Sequence, residues 1–200
     1  MRPFVVGITG GIASGKSVVS ALLEKKGLEI VDTDIVSREV TAPGTQGEKM
    51  LKAMFPFAFV DGVLDRKIMR EATFSDKKQR EKLNAITHPL IYNAVQKRIK
   101  ECVQPVIVLV VPLLFETGGN KECDFTITVS ANEQTRIKRV MERNNSITEE
   151  VARAIVNAQM SDEERASLAD KVIYNDGSLQ EIESEVEKLY YEIKERASKN

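Results

Sequence analysis

The chain has 200 residues, 42% of them hydrophobic, with 29 lysines and arginines against 30 aspartates and glutamates and a formal net charge of -1. That length suits one domain with room for a small inserted subdomain, and the near-neutral balance excludes a broad electrostatic footprint for nucleic acid. No apolar run approaches membrane-spanning length. The N-terminus carries only Arg2 before its first strand, without a signal peptide, and Cys102 and Cys123 show neither metal-ligand nor disulfide spacing, so the expectation is a cytoplasmic protein with reduced thiols and no membrane partner.

The first predicted element is the strand Val5 to Thr9, which runs into Gly10-Gly11-Ile12-Ala13-Ser14-Gly15-Lys16-Ser17. Glycines at these places let backbone N–H groups wrap around phosphate oxygens at a helix N-terminus. Lys16 supplies a point charge, and the Ser17 hydroxyl is placed to ligate the Mg²⁺ that accompanies a nucleoside triphosphate. The nucleotide-binding residues are therefore expected to be Gly11, Ile12, Ala13, Ser14, Gly15, Lys16, Ser17 and Val18. A helix over Lys16 to Lys26 follows, with Val18, Val19, Leu22 and Leu23 on one face and Gly27 in the C-cap place.

A second strand, Glu29 to Asp32, ends in Val31-Asp32-Thr33-Asp34. Residues two apart in an extended segment project to one side, and in an open α/β sheet that side lies at the ligand crevice. The pair suits Asp34 as the base that activates an acceptor hydroxyl and, through water, helps hold the metal, with Asp32 in support. The alternative is that Asp34 only caps a helix beginning at Ile35. After helices over Ile35 to Val40 and Gln46 to Met54, the stretch from Ala42 to Gln104 exceeds what one crossover needs and reads as an inserted helical subdomain. Within it Pro43-Gly44 and Asp61-Gly62 read as turns, and Asp76 to Glu101 as helix interrupted at His88-Pro89, with Thr87 or His88 as the cap.

The third sheet strand, Val106 to Val111, ends in Pro112-Leu113-Leu114-Phe115-Glu116 and lacks the strand-end aspartate of a standard Walker B segment. Either Asp32 and Asp34 take over its duty or Glu116 reaches back; Leu113 and Leu114 suit a binding loop or ordinary core equally. Asn120-Lys121-Glu122-Cys123-Asp124 places its aspartate one residue late for a guanine-reading signature. A strand over Phe125 to Val129 precedes a helix over Ala131 to Glu142, where Arg136, Arg139 and Arg143 share one face. That face suits a phosphate-covering lid, or a solvated surface laced by Glu133-Arg136 and Arg139-Glu142 pairs. Asn144-Asn145-Ser146 breaks the helix, and Thr148 caps another over Glu149 to Ala158. Strand Val172 to Tyr174, the loop Asn175-Asp176-Gly177 and a helix over Ser178 to Ala197 complete a strand–helix alternation that reads as α/β, a parallel sheet covered on both faces.

In order along nearly the whole chain, Thr9 to Ser17, Val31 to Arg38, Leu64-Asp65-Arg66, Ile86 to Pro89, Val111 to Glu116, Arg139 to Arg143, Ala158-Gln159 and Ala169 to Gly177 resemble the dephospho-coenzyme A kinase family of P-loop kinases. The resemblance implies a nucleoside monophosphate kinase-like fold, with a five-stranded parallel sheet in order 2-3-1-4-5, and phosphorylation of the ribose 3′-hydroxyl of dephospho-CoA by ATP with Mg²⁺. It implies one kinase domain with its core over 1–41, 105–135 and 168–200, a helical CoA-binding insert over 42–104 and a lid over 136–167. By the same resemblance Lys16, Asp34, Arg139 and Arg143 are catalytic. Thr9, Asp32, Arg38, His88, Pro89 and the Leu113, Leu114, Phe115 and Glu116 loop line the acceptor site, and Asn175 and Gly177 lie near adenine. Asn144 in place of a usual aspartate and Thr33 in place of a common alanine depart from the pattern. The expected partners are ATP and dephospho-CoA, and the expected state a monomer. Another small-metabolite or nucleoside monophosphate kinase, or a nucleotide-dependent switch, are the alternatives.

Overall fold

The structure, a computed structural model, describes residues 2–144 and 146–199; Asn145, in the expected helix break, lies outside the described residues. The chain divides into two compact units, Met1–Asp32 with Cys102–Asn200, and Thr33–Glu101.

The first unit is built on the most β-branched runs of the sequence. Strands β1 (Phe4–Thr9), β2 (Glu29–Asp32), β5 (Val106–Val110), β6 (Phe125–Ser130) and β7 (Lys171–Tyr174) form a five-stranded parallel sheet in the order β2-β5-β1-β6-β7. Counting sheet strands alone, this is 2-3-1-4-5. Every residue of β1, β5 and β6 is buried, as a parallel strand covered on both faces requires. On one face Phe4, Val6 and Ile8 pack with Val19 and Leu23 of α1 (Lys16–Lys25) and with Ile182, Val186, Leu189 and Ile193 of α9 (Leu179–Ser198). A capping box starts α9: Ser178 accepts from the Glu181 N–H and Glu181 accepts from the Ser178 N–H. Between β6 and β7 lie α6 (Glu133–Arg143), α7 (Glu149–Asn157) and α8 (Asp162–Leu168), and Ile137 and Val140 of α6 pack with Ala152 and Val156 of α7 and with Ala13. Thr148 caps α7 as expected. No helix among the described residues is long and apolar enough to cross a membrane.

The second unit contains α2 (Thr33–Val40), α3 (Gln46–Met54), a short hairpin of β3 (Phe59–Val60) and β4 (Val63–Leu64), α4 (Arg66–Ser75) and α5 (Lys77–Glu101). Leu51, Phe55, Ala58, Met69 and Ile86 form its core. Asp61 and Gly62 both take positive φ, 51° and 83°, which suits the tight hairpin turn. Asp65 caps α4 by accepting from the Lys67 and Ile68 N–H groups at 2.8 and 3.0 Å. Neither α4 and α8 nor the two-residue strands were expected from periodicity.

The interruption expected at His88-Pro89 does not occur: α5 continues through Pro89. Thr87, rather than capping, donates its hydroxyl to the Leu83 carbonyl at 3.0 Å one turn back. Proline removes one backbone donor and crowds the preceding turn, but Ile86, Val95 and Ile99 are buried, and tertiary packing of such a face outweighs local propensity.

Candidate active site

The site of the first unit grows from the carboxyl end of β1. Gly15, the N-cap of α1, has φ 101°, a conformation glycine alone adopts without strain. A Cβ there would lie 1.8 Å from Asn175 Nδ2, because the Asn175 amide packs against the loop and donates to the Ser14 carbonyl at 2.8 Å. Asn175 is itself fixed at the end of β7 by its N–H to Ser130 O at 2.8 Å. The phosphate-binding loop is thus braced from the β7 side by a buried amide.

Two further elements hold the same loop. Arg139 of α6 donates to the Ala13 carbonyl at 3.3 Å and to the Asn175 carbonyl at 2.9 Å, so its cation is delivered to the loop. Gln159, between α7 and α8, accepts from the Ile12 N–H at 2.6 Å. Lys16 Nζ donates to the Gly10 and Gly11 carbonyls at 2.6 and 3.1 Å, which keeps the ammonium at the mouth of the loop. Ser17 and Val18 are exposed in the first turn of α1, whereas Ser14 Oγ is buried without a partner among the described residues. A glycine-rich loop at the N-terminus of α1, with a lysine and an arginine bonded to it, is an arrangement suited to phosphate.

Arg136 differs from the other arginines of its helix. It is only 3% exposed, donates from Nε to the Ile12 carbonyl at 3.0 Å and pairs with Asp162. This replaces the Glu133-Arg136 and Arg139-Glu142 pairs of the solvated-face alternative; Glu133 instead pairs with Arg153. Arg143 is exposed in the last turn of α6, with no ion pair among the described residues. Asn144 caps the helix end, and its side chain accepts from the Ser146 N–H at 3.2 Å. Gly177, expected near adenine, lies beside Glu181 in the capping box of α9.

After β5, Leu114 is buried against Gly7, with Leu113 exposed, so the two leucines divide between core and surface. Glu116 accepts from Arg165 of α8 at 3.3 Å, and Phe115 is half-buried. The Thr9 hydroxyl, fully buried, donates to the Pro112 carbonyl at 3.2 Å and fixes the start of this loop. Asp32 sits half-buried at the carboxyl end of β2, paired in register with Val110.

Asp34, Arg38, His88 and Pro89 belong to the second unit and are all exposed there. Because α2 begins at Thr33, Asp34 occupies its first turn rather than its cap. Sequence reasoning gave no role to Gln159, Asp162 or Arg165. A glutamine after a helix and a charged run at Asp162-Glu163-Glu164-Arg165 carry no signal of burial, so only the tertiary fold reveals them.

The dephospho-CoA kinase family model matches residues 4–181. A dephospho-CoA kinase of Listeria monocytogenes is 38% identical over 200 residues, covering 98% of each chain. Among solved structures, TT1252 from Thermus thermophilus superposes with a TM-score of 0.85 at 34% identity, covering 96% of this chain and 98% of that one. The Campylobacter jejuni dephospho-CoA kinase shares the fold with a TM-score of 0.70 at 24% identity, covering 94% and 96%. A phosphate-binding loop braced from β7, α6 and the α7–α8 connection, with a family match running through all of these elements, places the chain in the dephospho-CoA kinase family.

Proposed function

We propose that this protein transfers the γ-phosphoryl group of ATP to the ribose 3′-hydroxyl of dephospho-CoA, giving coenzyme A and ADP in the last step of coenzyme A synthesis. The observation that carries the reading is the family match across residues 4–181, supported by a glycine-rich loop to which Lys16 and Arg139 are both bonded.

In this reading the loop amides and Lys16 hold the β- and γ-phosphates, and Arg139 and Arg143 neutralise charge developing on the transferred group. Residues 136–167 act as a lid that excludes water and so prevents hydrolysis. The helical unit takes the acceptor. Asp34 orients the 3′-hydroxyl for in-line attack on phosphorus and accepts its proton, with Asp32 supporting it.

Mg²⁺ fits the residues present. No cluster of three or more acidic, histidine or cysteine groups occurs among the described residues, and Mg²⁺ bound with a nucleotide takes most of its ligands from phosphates and water. Ser17, and Asp34 through water, would hold it, and when bound it would neutralise phosphate charge. Action as a monomer belongs to the same reading, and the two free cysteines suit the cytoplasm.

The test is ADP release from ATP·Mg²⁺ with and without dephospho-CoA, beside a panel of nucleoside monophosphates and the Lys16→Ala and Asp34→Asn variants. Stimulation by dephospho-CoA with coenzyme A as product, and a loss of about 10²-fold or more in each variant, is the expected result. Stimulation by another acceptor alone would reassign the substrate, and acceptor-independent hydrolysis would favour a switch.

A further inference from the structure

Two residues other than glycine take positive φ among the described residues: Asp61 in the hairpin turn, and Ala13, at 60°, in the phosphate-binding loop. The left-handed region crowds the Cβ of an L-residue against its own backbone, and glycine alone escapes this. A methyl retained at such a place has a use elsewhere. Ala13 is only 5% exposed and belongs to a cluster with Ile137 and Val140 of α6 and Ala152 and Val156 of α7, against which Ile12, Met141 and Ile147 also pack.

The backbone on either side of that methyl is held by the same segment of chain. The Ile12 N–H donates to Gln159 Oε1, between α7 and α8, at 2.6 Å; the Ile12 carbonyl accepts from Arg136 Nε at 3.0 Å, and the Ala13 carbonyl from Arg139 Nη1 at 3.3 Å. Gly11, one residue earlier, has no room for a Cβ, which would collide with the Arg136 guanidinium. Ile12 and Ala13 thus carry both polar and apolar contact between the loop and α6–α7. Long arginine and glutamine side chains tolerate small shifts of the helices, whereas a methyl in a close-packed cluster does not. A strained conformation persists where its surroundings over-determine it, and such positions gather at functional sites.

We propose that Ala13 is a positioning residue for phosphoryl transfer, whose methyl seats the α6–α7 pair on the phosphate-binding loop. The inference rests on the function and the lid proposed above and goes beyond them. The seat sets where Arg139 stands relative to the transferred group and how closely the site is shut to water. Without the methyl the helices sit loosely on the loop and Arg139 loses its fixed position. Water then takes the place of the 3′-hydroxyl in attack on the γ-phosphorus, breaking the same bond to the ADP oxygen and giving ADP and inorganic phosphate instead of ADP and coenzyme A.

The experiment measures kcat, KM for ATP and inorganic phosphate released per coenzyme A formed, with thermal unfolding, in wild type, Ala13→Gly, Val156→Ala and the double variant. Glycine removes the backbone strain along with the methyl, so Ala13→Gly is expected to fold and to melt close to wild type. The expected result for Ala13→Gly is a fall in kcat for coenzyme A of about tenfold or more, a smaller change in KM for ATP, and more phosphate per coenzyme A than wild type releases. Val156→Ala, which loosens the same cluster from the α7 side, is expected to give the same signature, and the double variant less than the product of the two fold-losses. Unchanged kcat and phosphate yield in Ala13→Gly would overturn the proposal. A rise in KM for ATP without excess phosphate would also overturn it, since the methyl would then shape the loop alone, and fold-losses that simply multiply would show that Ala13 and α7 act separately, again against it. Wild-type protein that makes no coenzyme A would bring down the function itself and this role with it, a result distinct from normal wild-type turnover with an unaltered phosphate yield in the variants.

Discussion

Arg165, with no exposed surface, donates to the Glu116 carboxylate at 3.3 Å and so joins α8 to the loop that follows β5. Its other Nη donates to Asp162 Oδ1 at 3.2 Å, and the second Asp162 oxygen takes Arg136, which bonds the Ile12 carbonyl. Two cations and two anions thus connect the proposed acceptor loop to the phosphate-binding loop through α8.

Removing one member of such a set leaves charge without its partner. Arg165→Met is expected to destabilise the fold by about 3 kcal/mol, the low end for a broken buried pair, because Asp162 and Glu116 remain 22% and 24% exposed and regain some hydration. Chemical denaturation should show it, with Arg165→Lys recovering only part. A loss under about 1 kcal/mol would mean that the network contributes little to stability.

Gly15 and Asn175 are expected to be coupled. Gly15→Ala forces a side chain into φ 101° and into the Asn175 amide, costing roughly 1–3 kcal/mol and weakening ATP binding by displacing the loop. Asn175→Ala removes the clash together with the bond to Ser14. The double variant should therefore be less damaged than the sum of the singles, measured by urea unfolding and by nucleotide titration; strict additivity would show that backbone strain alone sets the cost.

Much of this was legible beforehand, and the reasons are particular. β1, β2, β5, β6 and β7 stand within a residue or so of the expected strands, since dense β-branched runs bounded by glycine and polar residues have few other readings. The loop between β1 and α1 was legible as a loop because its closely spaced glycines leave few other readings. Arg136 was not: three arginines at helical spacing look alike in sequence, and only Asp162 and Ile12, distant along the chain, make one of them interior. Arg165 lies in a run of charges that reads as surface. Pro89 misled in the opposite direction, because local propensity at one residue is a weak guide inside a packed helix of 25 residues.

That proline supports a prediction of its own. Pro89→Ala restores a backbone donor to α5 at an exposed position and is expected to raise stability by about 1–2 kcal/mol, and to lower kcat/KM for dephospho-CoA where Pro89 lines the acceptor site, the role that the family resemblance implies. Thermal unfolding and acceptor kinetics separate the two effects. A fall in melting temperature would show that the fixed φ of Pro89 stabilises α5 by more than its missing backbone donor costs.

Cys123 is expected to resist alkylation at neutral pH. Burial, and then the Asp124 charge, push its thiol from 9.0 up to about 12, and its sulfur lies against Gly7 in β1. A folded-state pKa above the unfolded one contributes stability that is fully present below pH 9 and is lost as pH rises through about 12. Between those values the folding constant should drop by about tenfold per pH unit from this group. Comparing wild type with Cys123→Ala across pH 8 to 11 isolates it from other alkaline titrations, and parallel curves would exclude it.

The insertion of the helical unit between β2 and β5 also bears on how the sheet closes. These strands are neighbours in the sheet yet are separated in the chain by residues 33–105, and closing so long a loose segment is entropically slow. Within that segment α2 and α5 pack together, and Arg98 of α5 pairs with Glu39 of α2. Pairing of β2 with β5 therefore carries a large loop-closure cost, and folding of the segment between them, with its Leu51, Phe55 and Ile86 core, shortens the loose chain that this pairing has to close.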